Sequence, residues 1–226
     1  MSIHLQKEIE KLKKMVYSLG NEVEENVNKA VRALSNRDLP LAEKIIEADH
    51  LVDQREVDLE EECLKILALH QPVAIDLRFV IAVLKINNDL ERIGDLAVNI
   101  GEHAVFLAVQ PSIDIPFDIA SMSEKTKRML AESLVSLVNM DTRLARAVCA
   151  ADDEVDAINR QMYGQVQDGI RREVANMESL IHYLGVARHL ERIADLATNI
   201  AEDVIYMVDG EIVRHKTEDF RLQGRG

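Results

Sequence analysis

Leu5, Ile9, Leu12, Val16, Leu19 and Val23 recur at alternating spacings of four and three, and Val27, Val31 and Leu34 carry the stripe onward. That spacing keeps apolar side chains on one face of an α-helix and predicts a first helix of about nine turns with a bundle-type seam. It stops near Asn36, because Asp38 offers a cap and Pro40 stands where proline is tolerated at a helix start. A second helix is predicted from about 39 to His70, where Gln71-Pro72 ends it, and a third from there to about Ala108. The segment QPSIDIPFD, Gln110 to Asp118, holds two prolines and little helical pattern, and marks a boundary. Beyond it Met122, Met129, Leu130, Leu134, Leu137 and Met140 outline a fourth helix. Asp141 repeats the role of Asp38 as the cap of a fifth, running to about 174. The sixth spans about Asn176 to Val208, with Gly210 as its stop and a short polar tail to Gly226.

The pattern is duplicated. Residues 90–102 read LERIGDLAVNIGE and residues 190–202 read LERIADLATNIAE, with ten of thirteen positions identical at an offset of 100. A fainter repeat aligns 48–53 with 151–156 at an offset of 103, so the second half has a loop three residues shorter between its second and third helices. Self-similarity at a fixed period means two copies of one unit. The expected fold is all-α, two tandem pseudo-symmetric three-helix bundles built from six long helices. The first bundle takes residues 1–110, a linker 111–118, the second bundle 119–210, and a C-terminal tail 211–226.

Composition agrees: 47% of residues are hydrophobic but only 4% aromatic, with no Trp, so aliphatic side chains supply the packing. A net charge of −13 argues against nucleic acid as the partner, because phosphate contacts need clustered Lys and Arg, and suits a protein that binds cations. Cys63 and Cys149 stand alone without a CxxC, and no apolar run has signal-peptide or spanning length, which places the expectation in the cytoplasm.

The chemistry lies in the acidic residues of the repeat. Positions i and i+4 of a helix sit only about 40° apart, so Glu91 and Asp95 point the same way, as do Glu191 and Asp195. Each preceding helix offers a second pair, Asp49 with Asp53 and Asp152 with Asp156. Stacked carboxylates repel, and the arrangement costs stability unless cations intervene. If the pairs face each other, four carboxylates converge in each half. Such oxygen donors suit Mg²⁺, Mn²⁺, Ca²⁺ or iron, and helical bundles build metal sites in this way. The alternative is a solvated acidic face, its repulsion relieved by Arg92 and Arg192.

These segments resemble the PhoU family of accessory regulators of phosphate-specific transport. The resemblance rests on the twin LERI(G/A)DLA(V/T)NI(G/A)E segments, the two Asp-x-x-x-Asp pairs, Gln71-Pro72-Val73-Ala74 leading to Asp76-Leu77-Arg78, and Gly210 with Arg214-His215. It implies a multinuclear metal cluster on each bundle, held by Asp49, Asp53, Glu91 and Asp95 in the first and by Asp152, Asp156, Glu191 and Asp195 in the second. Iron, zinc, manganese and magnesium are all associated with the family, so metal identity does not transfer. It further implies a non-enzymatic, cytoplasmic negative regulator of the phosphate-starvation response and of phosphate uptake. Such an adaptor links the phosphate ABC transporter to a membrane sensor histidine kinase, associates with the membrane through these partners, and forms a homodimer. Asp76-Leu77-Arg78 has no counterpart at Asn176-Met177-Glu178, a point where the halves differ.

Two rivals stand beside this reading. One is a metal-free acidic scaffold that binds basic surfaces. The other is a ferritin-like di-iron carboxylate enzyme, which wants a Glu-x-x-His from each of two helices. Only Glu47-x-x-His50 fits, since the second-half equivalents are Ala150 and Asp153. The basic run Lys7, Lys11, Lys13 and Lys14 reads as a solvated face, Met122, Met129 and Met140 as core filling, and His182 and His189 as ordinary helix positions.

Overall fold

The computed structural model describes residues 3–115 and 117–210, and is helical nearly throughout. Seven α-helices follow in chain order: α1 (Ile3–Asn36), α2 (Leu39–Glu47), α3 (Asp49–His70), α4 (Ala74–Val109), α5 (Ile119–Asn139), α6 (Thr142–Arg172) and α7 (Met177–Asp209), with a 3₁₀ turn at Val174–Asn176 before α7. The tail 211–226, including Arg214-His215, lies outside the described residues.

The expected second helix is divided at Ala48 into α2 and α3. The cause is local competition for a carbonyl. His50 Nδ1 donates to the Glu47 carbonyl at 2.9 Å, and Leu51 N–H turns to the Ala48 carbonyl three residues back, at 3.1 Å, instead of to Glu47. Ala48 keeps right-handed helical angles (φ −85°, ψ −5°), so α2 and α3 remain one kinked rod in place of one straight helix.

The other ends follow local chemistry. Asp38 accepts from the Leu41 N–H, Asp141 from the Arg143 and Leu144 N–H groups, and Asp118 from the Ser121 N–H. Gly210 closes α7 in the left-handed region at φ +74°, its N–H bonded to the Tyr206 carbonyl. Met140 closes α5 in the same region (φ 52°), so it is a partly buried cap residue, whereas Met122 and Met129 are fully buried as expected.

α1 packs on α2, α3 and α4, while α5, α6 and α7 pack on one another, and the two sets meet through α4 against α7 and α1 against α5. The first stripe is core as read: Leu12, Val16, Leu19, Val23 and Val27 are all buried. α4 and α7, which carry the repeated segments, lie at the centre and show the same burial pattern over 91–100 and 191–200. Their apolar positions (Leu90, Ile93, Ala97, Ile100 and their counterparts Leu190, Ile193, Ala197, Ile200) are wholly buried. The basic N-terminal run is a solvated face as read, with Lys7, Lys11 and Lys14 exposed; Lys11 also reaches the nearly buried Glu62 at 2.6 Å, and Lys13 meets Glu10 one turn away at 2.8 Å.

Candidate functional site

The wholly buried stripe of α4 turns Glu91 and Asp95 away from the centre and toward α3, which presents Asp49 and Asp53. Gly94 lets α3 come close, since a Cβ on it would stand 3.2 Å from Val52 Cγ1. Asp49 and Glu91 are half-buried, whereas Asp53 and Asp95 are open to solvent, so the patch is reachable from water.

The four carboxylates are linked by repulsion that runs through Asp53 and Asp95. Burial, then Asp53 and Asp95, raises Asp49 from its ordinary value, with His50 opposing. Burial, then Asp95, Glu56 and Asp53, raises Glu91 against the pull of Arg92. Burial and Asp53 raise Asp95. Glu56, which the i, i+4 pattern missed, is a fifth member. It is raised by burial and then by Glu60 and Asp53, and it accepts from Asn87 Nδ2 at 2.9 Å. Its place three residues after Asp53, on the same helix face, is the signal that would have found it.

The second half repeats the arrangement between α6 and α7. Burial, then Asp195, Asp156, Asp153 and Glu191, pushes Asp152 up to about 7. Glu191 is raised by burial, Asp195 and Asp156, and Asp195 by burial and Asp156, with Arg192 opposing both. Asp153 is a further member that the pairwise motif missed. Asp156 also meets Arg160 at 3.5 Å on its own helix. Arg92 and Arg192 therefore moderate the repulsion without cancelling it. The halves differ at two places in this patch: Asp153 occupies the register of His50, and Asn159, whose Oδ1 is buried without a hydrogen-bond partner, occupies that of Glu56.

Among the described residues, no three His, Cys, Asp or Glu side chains stand close enough to hold a metal ion as placed. The chemistry of the donor set nevertheless fits hard cations. It consists of carboxylate oxygens gathered from two helices, and Asp152 Oδ1 is buried with no hydrogen-bond partner. A cation would relieve both the orphaned oxygen and the mutual repulsion. Of the Glu47-x-x-His50 pair, His50 is exposed, its ring nitrogen held by the Glu47 carbonyl, and it acts on the patch only as a charge that pulls Asp49 down. His182 and His189 join neither acidic patch; they meet His103 of α4 instead. Cys63 and Cys149 are both pushed up to about 12, chiefly by burial, and are thiols at neutral pH.

Among the described residues no helix is long and apolar enough to cross a membrane. The PhoU domain model matches the chain twice, over residues 16–104 and 119–204. A phosphate-specific transport system accessory protein PhoU homologue from Aquifex aeolicus is 41% identical over 210 residues, covering 93% of this chain and 95% of that protein. The crystal structure of PhoU from Pseudomonas aeruginosa superposes with a TM-score of 0.87 at 33% identity, covering 91% of this chain and 99% of that one. That of the phosphate transport system regulatory protein PhoU from Streptococcus pneumoniae gives 0.82 at 30% identity, covering 92% and 99%. With both halves matched by one domain model and nearly the full length shared with these relatives, the chain belongs to the PhoU family of phosphate transport system accessory proteins.

Proposed function

We propose that this chain represses the phosphate-starvation response and phosphate uptake as a cytoplasmic, non-enzymatic adaptor between the phosphate ABC transporter and a membrane sensor histidine kinase, with cations held on its two carboxylate patches. The names of its relatives support the transporter link. The observation that carries the cation reading is the twofold gathering of four carboxylates from neighbouring helices, each raised or crowded by the others.

Asp49, Asp53, Glu91 and Asp95 would hold ions in the first patch, and Asp152, Asp156, Glu191 and Asp195 in the second. Bound iron, zinc, manganese or magnesium supplies fixed positive charge, which neutralises the patch and offers a site to phosphate or to an acidic partner surface. The chain's own part is positional. The α3–α4 and α6–α7 pairs fix the spacing of the carboxylates, and the partly open rim keeps them within reach of a partner. No bond of a substrate is made or broken in this role.

The test is a phosphate-starvation reporter in cells whose chromosomal copy carries Glu91→Ala, Asp95→Ala, Glu191→Ala and Asp195→Ala. Expression of the reporter despite abundant phosphate is expected. Full repression, with the variant present at wild-type level, would sink the reading.

A further inference from the structure

The acidic motifs leave one polar cluster unexplained, where α4 meets α7. His103 projects from α4, and His182 and His189 from α7. His103 Nδ1 lies 2.9 Å from His182 Nδ1, with the two rings edge to face at 5.0 Å. The His189 ring stands 5.4 Å from that of His103. Phe106 lies flat on His182 at 3.6 Å and 3°, fixing the plane of that ring. Gly185 makes the room: a Cβ there would be 2.5 Å from His103 Nε2. His189 Nδ1 is buried and has no hydrogen-bond partner.

Three imidazoles on two helices, with two nitrogens face to face and a third without a partner, are more than core packing requires. Burial, first among the causes, lowers all three, His103 to about 4, so each ring is neutral at pH 7. Neutral imidazole is the species that coordinates borderline metals. Only one hydrogen fits between the two Nδ1 atoms, so one ring already presents a lone pair toward the other. With Zn–N bonds of about 2.0–2.1 Å, two ligands of a tetrahedral site stand about 3.3 Å apart, so the pair needs to open by only a few tenths of an ångström.

The geometry points to a second kind of metal site, for a zinc-class divalent ion held by His103, His182 and His189 with an open fourth position. As placed the three rings do not converge on one ion; they form a hydrogen-bonded pair with the third beside it. Loading exchanges that hydrogen bond for metal bonds and turns His189 Nδ1 inward. All three residues are half-buried, so none is sealed from solvent. The site does not rest on the acidic patches and occurs once per chain, because the repeat puts Asp203, Ala82 and Asp89 at the equivalent positions. An ion there ties α4 to α7, one half of the molecule to the other.

The test is a Co²⁺ titration of the full chain, prepared without a polyhistidine tag, followed by visible absorption. Tetrahedral nitrogen-bound Co²⁺ absorbs far more strongly than the six-coordinate, oxygen-bound ion expected on carboxylates. An intense band that saturates at a single ion per chain is expected for wild type and for Glu91→Ala/Glu191→Ala, and Zn²⁺ should abolish it. His182→Gln and His189→Gln should each weaken Co²⁺ binding by more than about tenfold, the usual loss on disturbing even the outer shell of a metal site. Gly185→Ala should do the same by displacing the His103 ring, while keeping every imidazole in the chain and adding a better helix former. Only weak oxygen-type absorption in wild type, or an intense band that survives all three variants, overturns the site.

Discussion

The carboxyl of Asp152 stands at about 7 because burial and its acidic neighbours, Asp195 foremost, oppose its charge. A carboxyl raised in the folded state holds its proton more tightly there than in the unfolded chain. Its contribution to stability is therefore fully present below the ordinary value of 3.8 and is lost as pH rises through about 7. In chelator-treated protein, Asp152→Asn should remove this loss. Thermal melts at pH 8 should show a gain of about 1–2 kcal/mol, reduced from the full linkage value because the side chain partly faces water. Added cation should close the gap between variant and wild type. His103 runs the opposite way. Its folded value of about 4 lies below the ordinary 6.5, so its contribution is present above 6.5 and is lost as pH falls toward 4. His103→Gln should flatten the acid limb of the melting curve between these values, and an unchanged limb would contradict the burial of a neutral ring. The i, i+4 carboxylates were legible as pairs because helix periodicity alone puts them on one face. The histidines were not, because His103 and His182 come together from helices in different repeats.

Helix caps are where local sequence decided most. Asp141 satisfies two N–H groups at the start of α6, so Asp141→Ala should cost about 1 kcal/mol and lower the melting temperature by a few degrees. Asp38, with one such bond, should cost no more. Both caps, the stop at Gln71-Pro72 and the left-handed Gly210 were readable from residue type, because each depends on chemistry within a few positions. The kink at Ala48 was not readable, because it depends on a His50 ring taking a carbonyl that the apolar stripe does not register. Arg37 is similar. It sits in the left-handed region at φ 55°, and its guanidinium donates to the Leu107 and Gln110 carbonyls at the end of α4, a partnership seventy residues away that periodicity does not encode.

Across the whole molecule α4 and α7, which carry the duplicated segments, pair at the centre, and the matching burial over 91–100 and 191–200 shows how closely the two copies keep their geometry. Their common interface has nonetheless diverged. Where α7 has Gly185 making room for His103, α4 has Lys85 reaching the buried Asp203 at 3.2 Å. These pairs occupy equivalent positions of the repeat, so one end of the interface carries imidazoles and the other an ion pair. Lys85→Met should destabilise the molecule by roughly 2 kcal/mol in urea melts, because it strips counter-charge from a carboxylate that is 2% exposed. The acidic patches, by contrast, are kept in both halves, and that retention motivates the claim that each holds cations. Elemental analysis of the untagged chain, wild type beside Glu91→Ala, Glu191→Ala and the double variant, tests it most directly. Metal in wild type, reduced in each single variant and in the double variant no more than the imidazole site can hold, is the predicted result. A wild-type protein that stays metal-free after equilibration with iron, zinc, manganese and magnesium, or a double variant with undiminished metal, would contradict it.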